Sequence, residues 1–98
     1  MIQLKGKFEK SFLSWFMNVK MRTGFKDLNE NEQINYLIEF LDFADLCVCV
    51  KPTRKESWTY EIYSRNKLMC KDSFYDSRED SVFSGIQQAI ERYNFKYS

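Results

Sequence analysis

The chain of 98 residues contains no histidine. That absence removes the side chain that most often serves as a general base near neutral pH, and with it the commonest neutral metal ligand. Glycine occurs three times and proline once, which excludes collagen-like, linker-rich and glycine-loop architectures. The three cysteines, Cys47, Cys49 and Cys70, are odd in number and too sparse for a disulfide framework. Structural zinc wants four Cys or His ligands, so these thiols are read as small core hydrophobes. The longest apolar run, Leu46-Cys47-Val48-Cys49-Val50, falls far below the roughly 20 residues of a membrane span. The start, Met1 to Lys7, has basic residues but no apolar run behind them, so no export signal is expected. A reducing, cytoplasmic setting without membrane association follows as the expectation.

What is present is ordinary in bulk and unusual in one respect. Hydrophobic residues make up 44% and charged residues 30%, with 15 basic against 14 acidic side chains, which argues against wholesale disorder. A chain of this length buries about 60–65% of its unfolded surface, so residues 1–98 are expected to form one compact domain. Aromatics reach 17%, with nine Phe, six Tyr and two Trp.

Periodicity orders the elements. Phe8, Phe12, Trp15, Phe16 and Val19 share one helical face, which predicts a helix over 8–21 with Gly24 as its stop. Asn29 with Glu32 forms a capping box that opens a second helix. Its main stripe is Ile34, Leu37, Ile38 and Leu41, and Tyr36, Phe40 and Phe43 form another. Sandwiching between the first helix and a sheet accounts for both stripes; a sticky face for a partner is the alternative.

From Leu46 the period becomes two. Leu46 to Val50 reads as an interior strand, apolar on both faces. Ser57 to Tyr63 alternates, Arg65-Asn66 marks a tight hairpin, and Leu68-Met69-Cys70 begins a third, shorter strand. Ser77 caps a last helix whose stripe is Val82, Phe83, Ile86, Ala89, Ile90 and Tyr93. Gly85 inside it costs about 1 kcal/mol against Ala, which a close approach to the sheet would explain. The predicted fold is α+β, a three-stranded antiparallel sheet with helices packed on it in the order α-α-β-β-β-α.

The net charge of +1 hides segregation. Residues 1–26 carry +5, residues 27–46 carry −6, residues 47–71 carry +4 and the remainder −2. Such blocks serve solubility, or they mark sites for charged partners. The candidate partner-binding residues are Glu30, Glu32, Tyr36, Glu39 and Asp42 on the acidic helix, where spaced carboxylates mimic phosphates toward a basic groove on another protein. On the basic hairpin they are Lys51, Arg54, Lys55, Trp58, Tyr63, Arg65 and Lys67, where cations hold a phosphate backbone while aromatics stack bases. No GxSxG, P-loop, GxGxxG or HExxH pattern occurs. No catalytic residue, metal site or cofactor is therefore assigned, and binding without catalysis is expected.

The strand Trp58-Thr59-Tyr60-Glu61-Ile62-Tyr63, the hairpin after it, Tyr75-Asp76-Ser77-Arg78-Glu79-Asp80 and Gly85 to Tyr93 together resemble the C-terminal half of many small phage and prophage proteins. The helix Glu32 to Leu41 is similar to the one that often precedes that hairpin. The likeness spans residues 28–95, leaves the basic N-terminal helix unmatched and transfers no catalytic residues. It implies an inhibitor of host defence of the anti-CRISPR kind, acting in the host cytoplasm by binding a CRISPR effector nuclease or its guide RNA. In size and Lys/Asn/Phe/Tyr-rich character the chain is most similar to anti-CRISPR proteins of type VI-B (Cas13b) systems. Two alternatives stand beside it. One is a small nucleic-acid-binding module using the basic hairpin and the N-terminal helix. The other is a homo-oligomeric phage accessory using the Tyr36, Phe40 and Phe43 stripe, although a monomer is the expectation.

Overall fold

The structure, a computed structural model, describes residues 2–53 and 56–97. The elements run α1 (Gly6–Asn18), a 3-10 turn (Phe25–Asp27), α2 (Glu30–Phe43), β1 (Cys47–Pro52), β2 (Trp58–Ser64), β3 (Lys67–Tyr75) and α3 (Arg78–Lys96). This is the expected α+β fold, with an antiparallel sheet ordered β1-β2-β3.

β1 is consequently an edge strand and not the interior strand its composition suggested. Val48 and Val50 pack toward the helices, while Cys47 is exposed and Cys49 half-exposed. The two thiols are therefore not core residues; their sulfurs lie 3.7 Å apart. Partial desolvation of its sulfur on the sheet edge, followed by the Cys49 thiol beside it, pushes the Cys47 thiol up to about 12 and suppresses its thiolate. The central place belongs to β2, whose Tyr60 and Ile62 are buried.

β3 is the longest strand, nine residues, where a short one was expected. Two bulges explain why alternation failed to show it. Pairing slips from Ile62↔Cys70 to Tyr63↔Leu68, leaving Met69 unopposed. It slips again between Tyr60↔Asp72 and Trp58↔Tyr75, with Phe74 at a φ of 72°. The Thr59 hydroxyl closes that second bulge by donating to the Asp72 carbonyl at 2.6 Å. The turn at Arg65-Asn66, with φ of 52° and 62°, is the tight hairpin expected.

α3 crosses the sheet over β1 and β2. A Cβ on Gly85 would stand 2.9 Å from Val48 Cγ1 and 3.1 Å from Tyr60 Cβ, so only glycine lets the helix settle this close. Val82, Ile86, Ala89 and Ile90 are buried around that contact. Above α3, an aromatic cluster joins α1 to α2. Phe12 meets Phe25 edge-on at 4.8 Å and Phe40 at 5.6 Å, and Phe8 meets Tyr93 at 5.4 Å. Such pairs add about 0.5–1.5 kcal/mol each beyond their burial. α2 is sandwiched as expected, with Leu37, Phe40 and Leu41 buried; Phe43 is left outside at 76% exposure.

α1 ends at Asn18, short of the predicted 21, and Val19 is exposed. Met21 takes a left-handed φ of 55°, and the Arg22 N–H turns back to the Phe16 carbonyl. Gly24 lies beyond this break and precedes the 3-10 turn. The other end of α1 is capped from outside. Lys5 gives no side-chain cap; instead Asn94 accepts from the Phe8 N–H at 2.7 Å and donates to the Lys5 carbonyl at 3.0 Å. Gln87 brackets Gln3 in the same way, accepting from its N–H and donating to its carbonyl. Gln87, Glu91 and Asn94 follow helical spacing, so one stripe of α3 holds the segment leading into α1.

Two stability predictions result. Gly85→Ala gains about 1 kcal/mol of helix propensity but overpacks against rigid neighbours at about 1–3 kcal/mol, so a net lowering of the melting temperature is expected in thermal unfolding. Asn94→Ala removes a cap worth about 0.5–2 kcal/mol. Its loss should appear as faster amide exchange at Phe8, and unchanged protection there would contradict the cap.

Candidate functional site

The candidate residues do not form one surface. β2 has seven residues, so at about 3.3 Å per residue its ends stand about 20 Å apart. Lys51 and Trp58 occupy one end of the sheet, whereas Arg65 and Lys67 occupy the other. Arg54 and Lys55 lie outside the described residues. The basic hairpin is therefore two separate places.

At the first place the side chains are already engaged. Lys51 bonds the Glu61 carboxylate at 2.8 Å, and the Tyr63 hydroxyl donates to the same carboxylate at 3.1 Å. The Lys51 ammonium beside Glu61 holds its carboxyl below the usual range, and Glu61 in turn raises Lys51 and Tyr63. Trp58 is half-buried, facing Pro52 and Tyr75 across the ladder. Tyr60 belongs to the core, where burial raises its hydroxyl. The base-stacking role expected of this strand therefore has little exposed aromatic surface to use.

The acidic helix is partly engaged as well. Glu32 completes the cap with Asn29, its N–H bonding Asn29 Oδ1 at 2.9 Å and its carboxylate accepting from Asn29 Nδ2 at 2.7 Å. Tyr36 packs edge-on against Phe16, and its hydroxyl accepts from Arg22 at 2.8 Å. Glu39 pairs with Lys20. Glu30 and Asp42 are exposed at opposite ends of a helix about 21 Å long, and Asp42 shares its end with Phe43.

The second place is where elements converge. A groove of about 760 Å³ opens between the β2–β3 turn, the start of β3 and the last turns of α3. Leu46, Met69 and Phe95 supply apolar lining, and Arg65, Lys67, Arg92 and Lys96 surround them. The bulge at Met69 places its side chain there. Phe95 is 86% exposed. The acids close by are already occupied. Glu91 pairs with Lys5 at 3.5 Å. Asp45 accepts from the Arg65 N–H at 3.1 Å and the Ser64 hydroxyl at 3.0 Å, and those bonds lower its pKa.

Sequence reading missed Arg92, Phe95 and Lys96 because they fall in a block of net charge −2. The available signal was a large aromatic off the buried stripe of α3, flanked by basic residues. Among the described residues, no group of three or more His, Cys, Asp or Glu is placed to hold a metal ion, and no helix is long and apolar enough to cross a membrane. Comparison of the chain with protein-family models, curated proteins and solved structures finds no match.

Asp45 makes the pH dependence testable. Its folded pKa lies below its unfolded value, so its stabilisation is complete above about pH 4, the ordinary Asp range, and fades as pH falls through the folded value. Asp45→Asn should melt below the wild type at pH 7, and the two curves should converge under acid. A gap that stays constant down to pH 2 would refute this linkage.

Proposed function

We propose that the chain is a non-catalytic binding protein of the anti-defence kind, which docks on a host RNA-guided nuclease. The observation that carries this reading is the exposed end of α2. There Phe43, 76% exposed, stands next to the Asp42 carboxylate on a helix side that also carries the exposed Asn31 and Asn35 and the Lys20-paired Glu39. A bulky aromatic on an acidic surface fits a basic nucleic-acid groove on another protein: the ring supplies the anchor, and the carboxylates supply complementarity and encounter rate. Nuclease grooves that hold nucleic acid are basic of necessity.

Several titratable groups are engaged within the sheet and its turn. Glu61, Lys51 and Tyr63 satisfy one another across the sheet, and Asp45 closes a turn. The first three brace the strands, and Asp45 braces the turn beside the groove. The resemblance to small phage proteins supplies the class of partner.

The test is co-migration on a sizing column with purified RNA-guided nucleases, type VI-B effectors first, each with and without guide RNA. Asp42→Lys combined with Phe43→Ala should weaken the complex at least about tenfold by titration. Both side chains are exposed, so the melting temperature should move little, since such surface changes stay within about 0.5 kcal/mol. Failure of the protein to join any effector argues against the reading. Glu32→Lys is a poor probe of the interface, because it also removes the carboxylate that Asn29 bonds at the helix start.

A further inference from the structure

We infer that the groove between the β2–β3 turn and the end of α3 is a binding site for a phosphorylated nucleoside, free or as one unit of a single strand. This stands apart from the docking of α2 on a nuclease and holds whether or not a nuclease is the partner.

The argument rests on composition, commitment and size. Four cations from two distant stretches of sequence, Arg65 and Lys67 on the hairpin and Arg92 and Lys96 on α3, line one opening. None of the four takes part in an ion pair among the described residues, where the pairs are Lys5–Glu91, Lys20–Glu39 and Lys51–Glu61; Lys96 lies over the Tyr97 ring at 5.4 Å, and it and the Arg65 side chain act on Asp45 only through space. Of the two carboxylates here, Glu91 is part of the lining and pairs with Lys5 at 3.5 Å, and Asp45, beside the groove, is held by the turn. Folding thus gathers four cations around one lining carboxylate, Glu91, which Lys5 already pairs. Arg92 is half-buried, and its Nε has no hydrogen-bond partner among the described residues.

Cations alone would suit any anion. The apolar part narrows the class. Phe95 offers 86% of its surface to solvent at the groove, and Met69 and Leu46 line the space beside it. An exposed ring among guanidinium and ammonium groups matches a planar base joined to phosphate: stacking on one side, charge-assisted hydrogen bonds on the other. A volume of about 760 Å³ lies within the usual range for small-molecule sites. The expected polarity is phosphate toward Arg65 and Lys96, and base toward Phe95.

Fluorescence anisotropy with labelled ten-nucleotide oligouridylate and oligoadenylate, run on the isolated chain, tests this directly. Binding is expected to weaken about sevenfold to fiftyfold between 50 and 200 mM salt, as for two to four phosphates that give up their counterions. Arg65→Gln with Lys96→Gln should cost at least about tenfold and flatten the salt slope, and Phe95→Ala should cost at least about fivefold. Lys7→Gln with Lys26→Gln, outside the groove, should change little. All these side chains are exposed, so thermal melting monitors the fold of each variant. AMP, followed by amide shifts at residues 92–96, separates the sources. Binding of AMP as tight as that of the strand marks a mononucleotide site, and binding of the strand alone marks a strand site. No binding of either probe overturns the proposal. So does binding that the groove variants leave intact and the Lys7/Lys26 variant weakens. Because no nuclease is in the assay, failure here leaves the α2 reading standing, and failure of co-migration leaves this one.

Discussion

The approach of α3 to the sheet at Gly85 sets the distances on which the other packing depends. Val48 and Tyr60 touch the helix where a methyl group would stand, so Ile86, Ala89 and Ile90 reach full burial without larger side chains. A helix held that low also exposes its upper side to the segment before α1. Gln87, Glu91 and Asn94 line that side and grip backbone and Lys5 there. The same seating carries Tyr93 into the aromatic cluster and brings the last turns of α3 alongside the β2–β3 turn. A larger residue at 85 would lift the helix away from all three at once.

Most of the fold was legible because its signals are local. Ser77 and Asn29 cap their helices as their neighbours predict, and the stripe from Val82 to Tyr93 follows one period. Arg65-Asn66 announced its turn. What stayed hidden depended on partners. The bulges of β3 break the two-residue period, so Met69 to Tyr75 does not alternate. The edge position of β1 depends on strand order, which the apolar run Leu46 to Val50 does not encode. Glycine at 24 was a plausible helix stop, but Met21 made the break first, in a conformation that β-carbon residues seldom adopt.

The candidate site shows the same division in electrostatic form. Summing charge along the chain described blocks, and folding regrouped them. The block of −6 is spent in part on a cap, on Lys20 and on the turn at Arg65. Of the block of +4, Lys51 stands at one end of the strand pair, Arg65 and Lys67 at the other, and Lys71 between them opposite Glu61. Arg92 and Lys96, concealed in a stretch of net −2, join Arg65 and Lys67 from about 25 residues away in the sequence. Segregation along a sequence signals that charge is being organised; only the topology says where it collects.

The capping of α1 by Asn94 spans nearly the whole chain, since 86 residues separate Asn94 from Phe8. During synthesis the first helix therefore leaves the ribosome without its cap and with its aromatic face uncovered. Phe25, Tyr36 and Phe40 cover most of that face, but the cap and the Tyr93 ring against Phe8 come only with the last helix. Contacts of such long sequence separation carry a loop-closure cost before they contribute, so completion of the fold waits on the final element. The first third of the molecule is, in this sense, a dependent of the last: truncation at the C-terminal end would unmake the beginning of the chain along with its end.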